Sequence, residues 1–454
     1  MLKRTSIILA FIVFIIFSIS MIKPLFLSYD EGDHFIRAYS LTQGKFILDT
    51  PEALSTGMEI NVNLARFVVS NGGSHPLNTQ YITNHLFSDN ELGVYSWDVE
   101  EKIFYQMPGT NLYFPIIYLP QATGIFIGKN LFDNIYYSYY FAVILTVICS
   151  LFLLYKANRL YAINMFIWSL LITPLFLMQL YSSSIDAITT SLAIFIVCLF
   201  LHIYQSIDRN VWKEFLFLCV LLFILITCRQ HLAPLSAFPI ILAIKMKSWK
   251  KGIVALIMIL LVLVWIMIAS RTTVDLRKEN LLTISEVFRF YVEDPFLWMN
   301  KFWNTITEPN ILFDYWEKFF IAIYKGDYLV LPLTVVVIGL FGLSIKFKKN
   351  FADKCMCLIF ILISCTSILL IFFALSLGWT PIDSPYILGV QGRYFIVPII
   401  LLGFASSLGV SPQDMKYYTL SKIILLSLLA IIVGYFLVSN YYHNYSRWFL
   451  PFQI

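Results

Sequence analysis

The stretch S-Y-D-E-G-D-H-F-I-R-A-Y-S-L-T-Q-G, Ser28 to Gly44, follows directly on an apolar run from about Thr5 to Leu27. A run of that length can cross a bilayer. Lys3 and Arg4 precede it, which places the N-terminus in the cytoplasm and the Asp30 stretch outside. Ser18 and Ser20 have a spacing compatible with signal cleavage. The run exceeds a signal core and more membrane follows, so an uncleaved first helix is expected. Read as a helix, residues 28–44 put Asp30, Asp33, His34 and Arg37 on one face. Phe35, Ile36 and Tyr39 fall on another, free to rest on the bilayer or on protein. Spacing alone supports two readings. Ser28 and Glu31 form an S-x-x-E capping box, and acids in a first turn suit the helix dipole of a plain surface helix. Alternatively, an acid, an imidazole and a guanidinium meet at a membrane surface to handle phosphate or sugar.

Composition narrows the class. The chain is 59% hydrophobic and 13% charged, with 40 Phe and 27 Tyr, which excludes a soluble domain and predicts aromatic belts. A mean hydropathy of +0.77 agrees. Cys149, Cys198, Cys219 and Cys365 sit in apolar runs as small hydrophobes, and Cys355 and Cys357 lack metal-site partners. Neither a disulfide framework nor a cysteine metal site follows. The basic residues mark loop ends rather than a nucleic-acid surface.

The expected fold is an all-α polytopic membrane protein with about eleven transmembrane helices. Residues 1–27 form the first, and 28–133 an extracytoplasmic loop with the acidic motif and juxtamembrane helices. Within it, residues 111–129 are apolar but broken by Pro115 and Pro120, which suggests a juxtamembrane or re-entrant helix rather than a full span. Residues 134–270 form a bundle, with spans near 134–155, 160–180, 185–205, 214–228, 231–245 and 252–270. A second outer loop, 271–327, carries Trp298, Trp303 and Trp316 and reads as interfacial helices. Residues 328–454 hold C-terminal spans near 328–345, 356–377, 394–410 and 421–440, then a short outer tail. Lys156 with Arg159, Arg209 with Lys213, Lys245 to Lys251, Lys346 to Lys354, and Lys416 with Lys422 all fall on the cytoplasmic side of this arrangement.

The same topology gathers polar residues outside. Asp186 of Y-S-S-S-I-D-A starts a span, where a capping role is the plain alternative. Arg229 and His231 form a short polar break, Gln391 and Arg393 stand at the outer end of another span, and Tyr113 and Gln121 belong to the Pro-broken segment. Ionisable residues at membrane depth are costly and tend to be functional. A lone arginine at a helix end can instead snorkel to headgroups. Arginines facing acids at a bilayer surface suit glycosyl transfer from a lipid-phosphate sugar. A carboxylate takes the acceptor's proton, the guanidinium forks hold the departing phosphate, and a single displacement inverts the anomeric carbon. On this reading Asp30 is the base and Glu31 supports it or helps bind a divalent cation, Mg or Mn. His34, Arg37, Asp186, Tyr113 and Gln121 line the acceptor side, while Arg393, Gln391, Arg229 and His231 hold the donor phosphate.

D-E-G-D-H-F-I-R-A-Y-S-L-T-Q-G-K (30–45), P-I-I-Y-L-P-Q-A-T-G-I-F-I-G (115–128), S-S-S-I-D-A (182–187) and G-V-Q-G-R-Y-F (389–395) resemble a bacterial family of predicted membrane proteins. That family is similar to the GT-C superfamily of polytopic glycosyltransferases. Tyr29 and Ile185 depart from its pattern, and Arg229-Gln230-His231 fits it only loosely. The resemblance implies a polyprenyl-phosphate-linked sugar as donor and a cell-envelope glycan or lipid-linked acceptor, used at the outer face of the cytoplasmic membrane. Asp30 matches the base, Glu31 and His34 match neighbouring motif positions, and Arg393 matches the Q-G-R-Y arginine. A repeat-unit polymerase or ligase, and a lipid-linked-sugar flippase or transporter, are the alternatives. A transporter predicts charges in the middle of spans.

Overall fold

A computed structural model describes residues 25–26, 28–75, 78–80, 82, 95–206, 210–276, 284–320, 330–345, 350–408 and 418–432. The expected first transmembrane helix, apart from residues 25–26, lies outside the described residues, as do part of the acidic run after Asp89 and everything beyond 432.

The polar region begins with α1 (Glu31–Thr42) and continues through β1 (Gly57–Asn61), α2 (Val62–Ser70) and β2 (Lys102–Gln106). Strands β1 and β2 pair antiparallel with Met58 opposite Tyr105 and Ile60 opposite Ile103. This small sheet corrects the all-α expectation. Met58 and Ile60 alternate with Glu59 in β1, and Ile103 and Tyr105 are the buried positions of β2, a period of two that suits a half-buried strand. Asn61 ends β1 and caps α2, its side chain accepting from the Asn63 and Leu64 amides.

The Pro-broken segment resolves into a 3₁₀ turn, Pro115–Tyr118, followed by α3 (Leu119–Leu131). At 13 residues α3 is too short to cross a bilayer. It packs along α4 (Ile135–Leu160) and against α1. The α3–α4 contact depends on Gly124 and Gly128, four residues apart. A Cβ at Gly124 would lie 2.5 Å from the Ala142 backbone nitrogen, and one at Gly128 would lie 2.5 Å from Ser138 Cα. Small residues at this spacing let helix backbones touch.

Four described helices are long and apolar enough to cross a membrane: α4, α7 (Asp186–Gln205), α10 (Trp249–Thr272) and α15 (Phe351–Gly378). The eleven expected spans are therefore not reproduced among the described residues. The 160–180 span is divided into α5 (Met165–Leu171) and α6 (Pro174–Leu180), because Pro174 cannot continue the α5 ladder and the Thr173 hydroxyl caps the new start. α8 (Trp212–Cys228) has 17 residues. The 231–245 span opens as a 3₁₀ turn through Pro234 and leaves only nine residues in α9 (Ala237–Lys245). The 394–410 span likewise begins in a 3₁₀ turn, Gly392–Phe395, before α16 (Ile396–Ser407).

The 271–327 region contains α11 (Ile284–Glu293), α12 (Pro295–Thr307) and α13 (Pro309–Phe320), and leads to α14 (Val330–Ser344). Phe288, Phe296, Trp303 and Phe313 project outward as an interfacial helix would present them. Trp298 and Trp316 instead turn into the protein and donate to Ser376 Oγ at 3.0 Å and Thr334 Oγ1 at 2.8 Å. α12 also holds the loop before Gly392: Lys301, 3% exposed, donates to the Pro381 and Ile382 carbonyls, and Thr305 accepts from the Ile387 amide.

Candidate functional site

α1 is not a surface helix. Every residue from Glu31 to Ser40 is buried, so Phe35, Ile36 and Tyr39 pack on protein. The capping box is half made, with the Ser28 amide donating to Glu31 Oε2 at 3.0 Å. The other oxygen of Glu31 accepts from the Tyr139 hydroxyl at 2.6 Å and the Ser183 amide at 2.9 Å. Glu31, expected beside the base, thus ties α1 to α4 and to the turn before α7. Its oxygens are directed into that joint.

Asp30 stands at the N-cap of α1 in a left-handed conformation, φ 55° and ψ 18°, and its side chain does not cap the helix. It accepts instead from Arg393 Nη2 at 2.6 Å. Arg393 Nη1 donates to Asp186 Oδ2 at 3.0 Å and to the Tyr29 carbonyl at 3.2 Å. Asp186 Oδ1 pairs with Arg229 Nη2, and Arg229 Nε donates to Thr189 at 3.3 Å. Asp186 makes no capping bond, so both of its oxygens serve as counterions rather than as the expected helix cap. Four chain segments meet in one chain of alternating charge: Asp30, Arg393, Asp186, Arg229. Arg393, Asp186 and Arg229 are nearly enclosed, and burying charges is costly unless each is paired, as each is here.

The aromatic surroundings hold this chain in place. Arg229 lies 5.8 Å from the Tyr113 ring, and Arg393 lies 5.0 Å from Tyr29 and 5.4 Å from Tyr394. His34 stacks on Tyr113 with ring centres 5.9 Å apart, and its Nδ1 hydrogen-bonds the Tyr118 hydroxyl at 2.7 Å. Burial pushes the His34 pKa down to about 4, against the pull of Asp186 and Asp30, so the imidazole is neutral at neutral pH. Packing around the Asp30 carboxyl raises its pKa, but the Arg393 charge and hydrogen bond outweigh this and leave it below the usual carboxylate range.

Asp186, Arg229, His231, Arg393 and Tyr394 border a small polar cleft of about 20 Å³. His231 lies beside Tyr394, ring centres 6.3 Å apart. Gln121 donates to the Ser184 carbonyl at 3.1 Å and so braces the turn before Asp186. Gln391 immediately precedes the 3₁₀ turn of Arg393, its buried Oε1 without a partner among the described residues.

Two residues of the expected face lie elsewhere. Arg37 donates to Ser40 Oγ and to the carbonyls of Lys45 and Phe46, fastening the chain that leaves α1. It shares a face with Asp30 but stands about 10 Å further along the axis, beyond reach of the cleft. Asp33 accepts from the Tyr105 hydroxyl at 3.1 Å and joins α1 to β2. Sequence reasoning missed Tyr118, Tyr139, Ser183 and Thr189. Tyr118, Ser183 and Thr189 lie in or beside quoted motifs but carry no charge, Tyr139 lies in none of them, and only their partners reveal them. Among the described residues no three His, Cys, Asp or Glu side chains are placed to share a metal ion. Asp30 and Asp186 already face arginines, so this geometry provides no ligand set for the Mg or Mn considered above.

Beside the polar cleft lies an apolar groove of about 400 Å³ between α5, α13, α14 and α16, lined by Phe166, Leu170, Trp316, Phe341, Phe395 and Leu402 among others. Tyr394 borders the cleft and Phe395 the groove. Charged chemistry and lipid-like surface are therefore one residue apart.

No curated protein and no solved structure matches the chain. Residues 11–403 match a family model described as a predicted membrane protein. A match over that span, together with several apolar helices, makes this a membrane protein and a member of the DUF2142 family.

Proposed function

We propose that this chain is an inverting glycosyltransferase of GT-C type. It would move a sugar from a polyprenyl-phosphate donor to a cell-envelope glycan or lipid-linked acceptor at the outer face of the cytoplasmic membrane. The observation that carries the reading is the convergence of Asp30, Asp186, Arg229 and Arg393 beside an apolar groove. A lipid phosphate has both properties, an anionic head and an apolar tail. In the reaction, the acceptor hydroxyl gives its proton to the Asp30 carboxylate as its oxygen bonds to the anomeric carbon. The bond from that carbon to the phosphate oxygen breaks, its electron pair leaving with the polyprenyl phosphate. Arg393 and Arg229 stabilise the charge that develops there. Neutral His34, held by Tyr118 and Tyr113, can hydrogen-bond the acceptor without competing for its proton.

Asp186 opens α7, Arg229 directly follows α8, and Arg393 precedes α16. Charges at helix ends favour surface chemistry over translocation through the bundle. The test compares envelope glycan composition in a deletion strain complemented with wild type, Asp30→Asn or Arg393→Ala at matched membrane levels. Restoration of a missing sugar by wild type alone supports transfer and identifies the donor sugar. Full restoration by Asp30→Asn removes Asp30 as the base.

A further inference from the structure

We propose that Asp30 occupies, in the resting protein, the seat on Arg393 that the donor phosphate takes, so that donor binding releases the base. The inference rests on the lipid-phosphate reading above and adds a regulation to the same site. Arg393 has two different counterions. Its Nη1 faces Asp186, whose side chain is 6% exposed, while its Nη2 faces Asp30, whose side chain is 59% exposed. Asp186 is enclosed and also pairs with Arg229. Asp30 reaches inward from solvent and has no second anchor: it makes no capping bond, and Arg393 is the only partner its carboxylate has among the described residues. Of the two, Asp30 is the exchangeable one.

The edge of Arg393 that Asp30 approaches is also incompletely filled. Its Nε is buried and has no hydrogen-bond partner among the described residues. Nε and Nη2 form the side fork of a guanidinium, which fits two oxygens of one oxyanion. Asp30 supplies one oxygen to Nη2. A phosphate would supply two and satisfy the orphan donor as well, so exchanging carboxylate for phosphate gains a hydrogen bond. No covalent bond changes in this step.

The exchange orders the reaction. Paired to Arg393, Asp30 is a poor proton acceptor; released, it regains the basicity of a free carboxylate. It therefore activates the acceptor hydroxyl only once a donor phosphate is seated. After transfer Asp30 carries the acceptor's proton and cannot compete for Arg393. Loss of that proton to solvent restores the pair and expels the polyprenyl phosphate.

Binding of farnesyl monophosphate to the full-length protein in lipid nanodiscs tests this, with farnesol as the control lacking a phosphate. Asp30→Asn keeps the shape without the charge. Asp30→Gly independently removes the carboxylate at a left-handed position that glycine adopts freely. Both variants are expected to bind farnesyl monophosphate on the order of tenfold more tightly than wild type, with farnesol unchanged. Wild-type binding that both variants match or weaken overturns the exchange and leaves the lipid-phosphate reading standing. An equal gain for farnesol also overturns it, by placing the effect at the tail. Absence of binding by wild type and both variants removes the lipid-phosphate reading itself.

Discussion

Replacing Asp186 by Asn keeps the volume and removes the charge from the centre of the ion chain. In the native protein its two oxygens face Arg393 Nη1 and Arg229 Nη2, with both arginines and Asp186 nearly enclosed. The amide can accept from one guanidinium but turns an NH₂ toward the other. One buried cation is left without its counterion, and the two guanidinium groups face each other. Removing one partner of a buried pair costs about 3–5 kcal/mol. Loss of a helix cap alone costs about 1 kcal/mol, so the two roles considered for Asp186 differ in magnitude. At roughly 2 °C per kcal/mol for a large chain, the ion-pair role predicts a drop of about 6–10 °C in the melting midpoint. The assay is thermal unfolding of purified protein in nanodiscs, followed by tryptophan fluorescence. The double variant Asp186→Asn with Arg229→Gln should recover part of the loss, because the stranded cation is removed with its partner. A drop under about 2 °C, or a double variant worse than the sum of the singles, would refute the counterion role.

Glu31→Gln should destabilise by about 2–3 kcal/mol, since its carboxyl receives the Ser28 and Ser183 amides and the Tyr139 hydroxyl. Tyr139→Phe should cost less, about 1 kcal/mol, and the same melts rank the two. Gly128→Leu should reduce the folded yield in membranes, because the side chain would enter the Ser138 backbone; size-exclusion profiles matching wild type would count against the α3–α4 contact. His34 is buried with its pKa lowered to about 4, whereas the unfolded chain takes up a proton near 6.5. Its contribution is therefore fully present above pH 6.5 and is lost as pH falls toward 4, to a limit of about 3 kcal/mol. His34→Gln should flatten the pH dependence of the melting midpoint across that window, and an unchanged slope would remove His34 as its source.

The membrane class, most of the apolar helices and the polar residues at their ends were legible in the sequence, because hydropathy and charge placement are sums over neighbouring residues. Asp30, Asp186, Arg229 and Arg393 stood out as charges beside apolar runs. Tertiary structure alone decided what each of them does. Asp30 and Arg393 are 363 residues apart in sequence, and no local pattern encodes their contact. Glu31 and Asp33 look equivalent to Asp30 in the motif, yet they face Tyr139 and Tyr105, because the buried α1 directs its sides to different neighbours. Arg37 lies on the expected face but at the wrong height. The spans diverged where Pro174 and Pro234 break apolar runs that a hydropathy window averages over. Local sums identify which residues must leave water or remain near it; which charge meets which is set by helix packing, since a buried ion is stable only where another segment brings its partner.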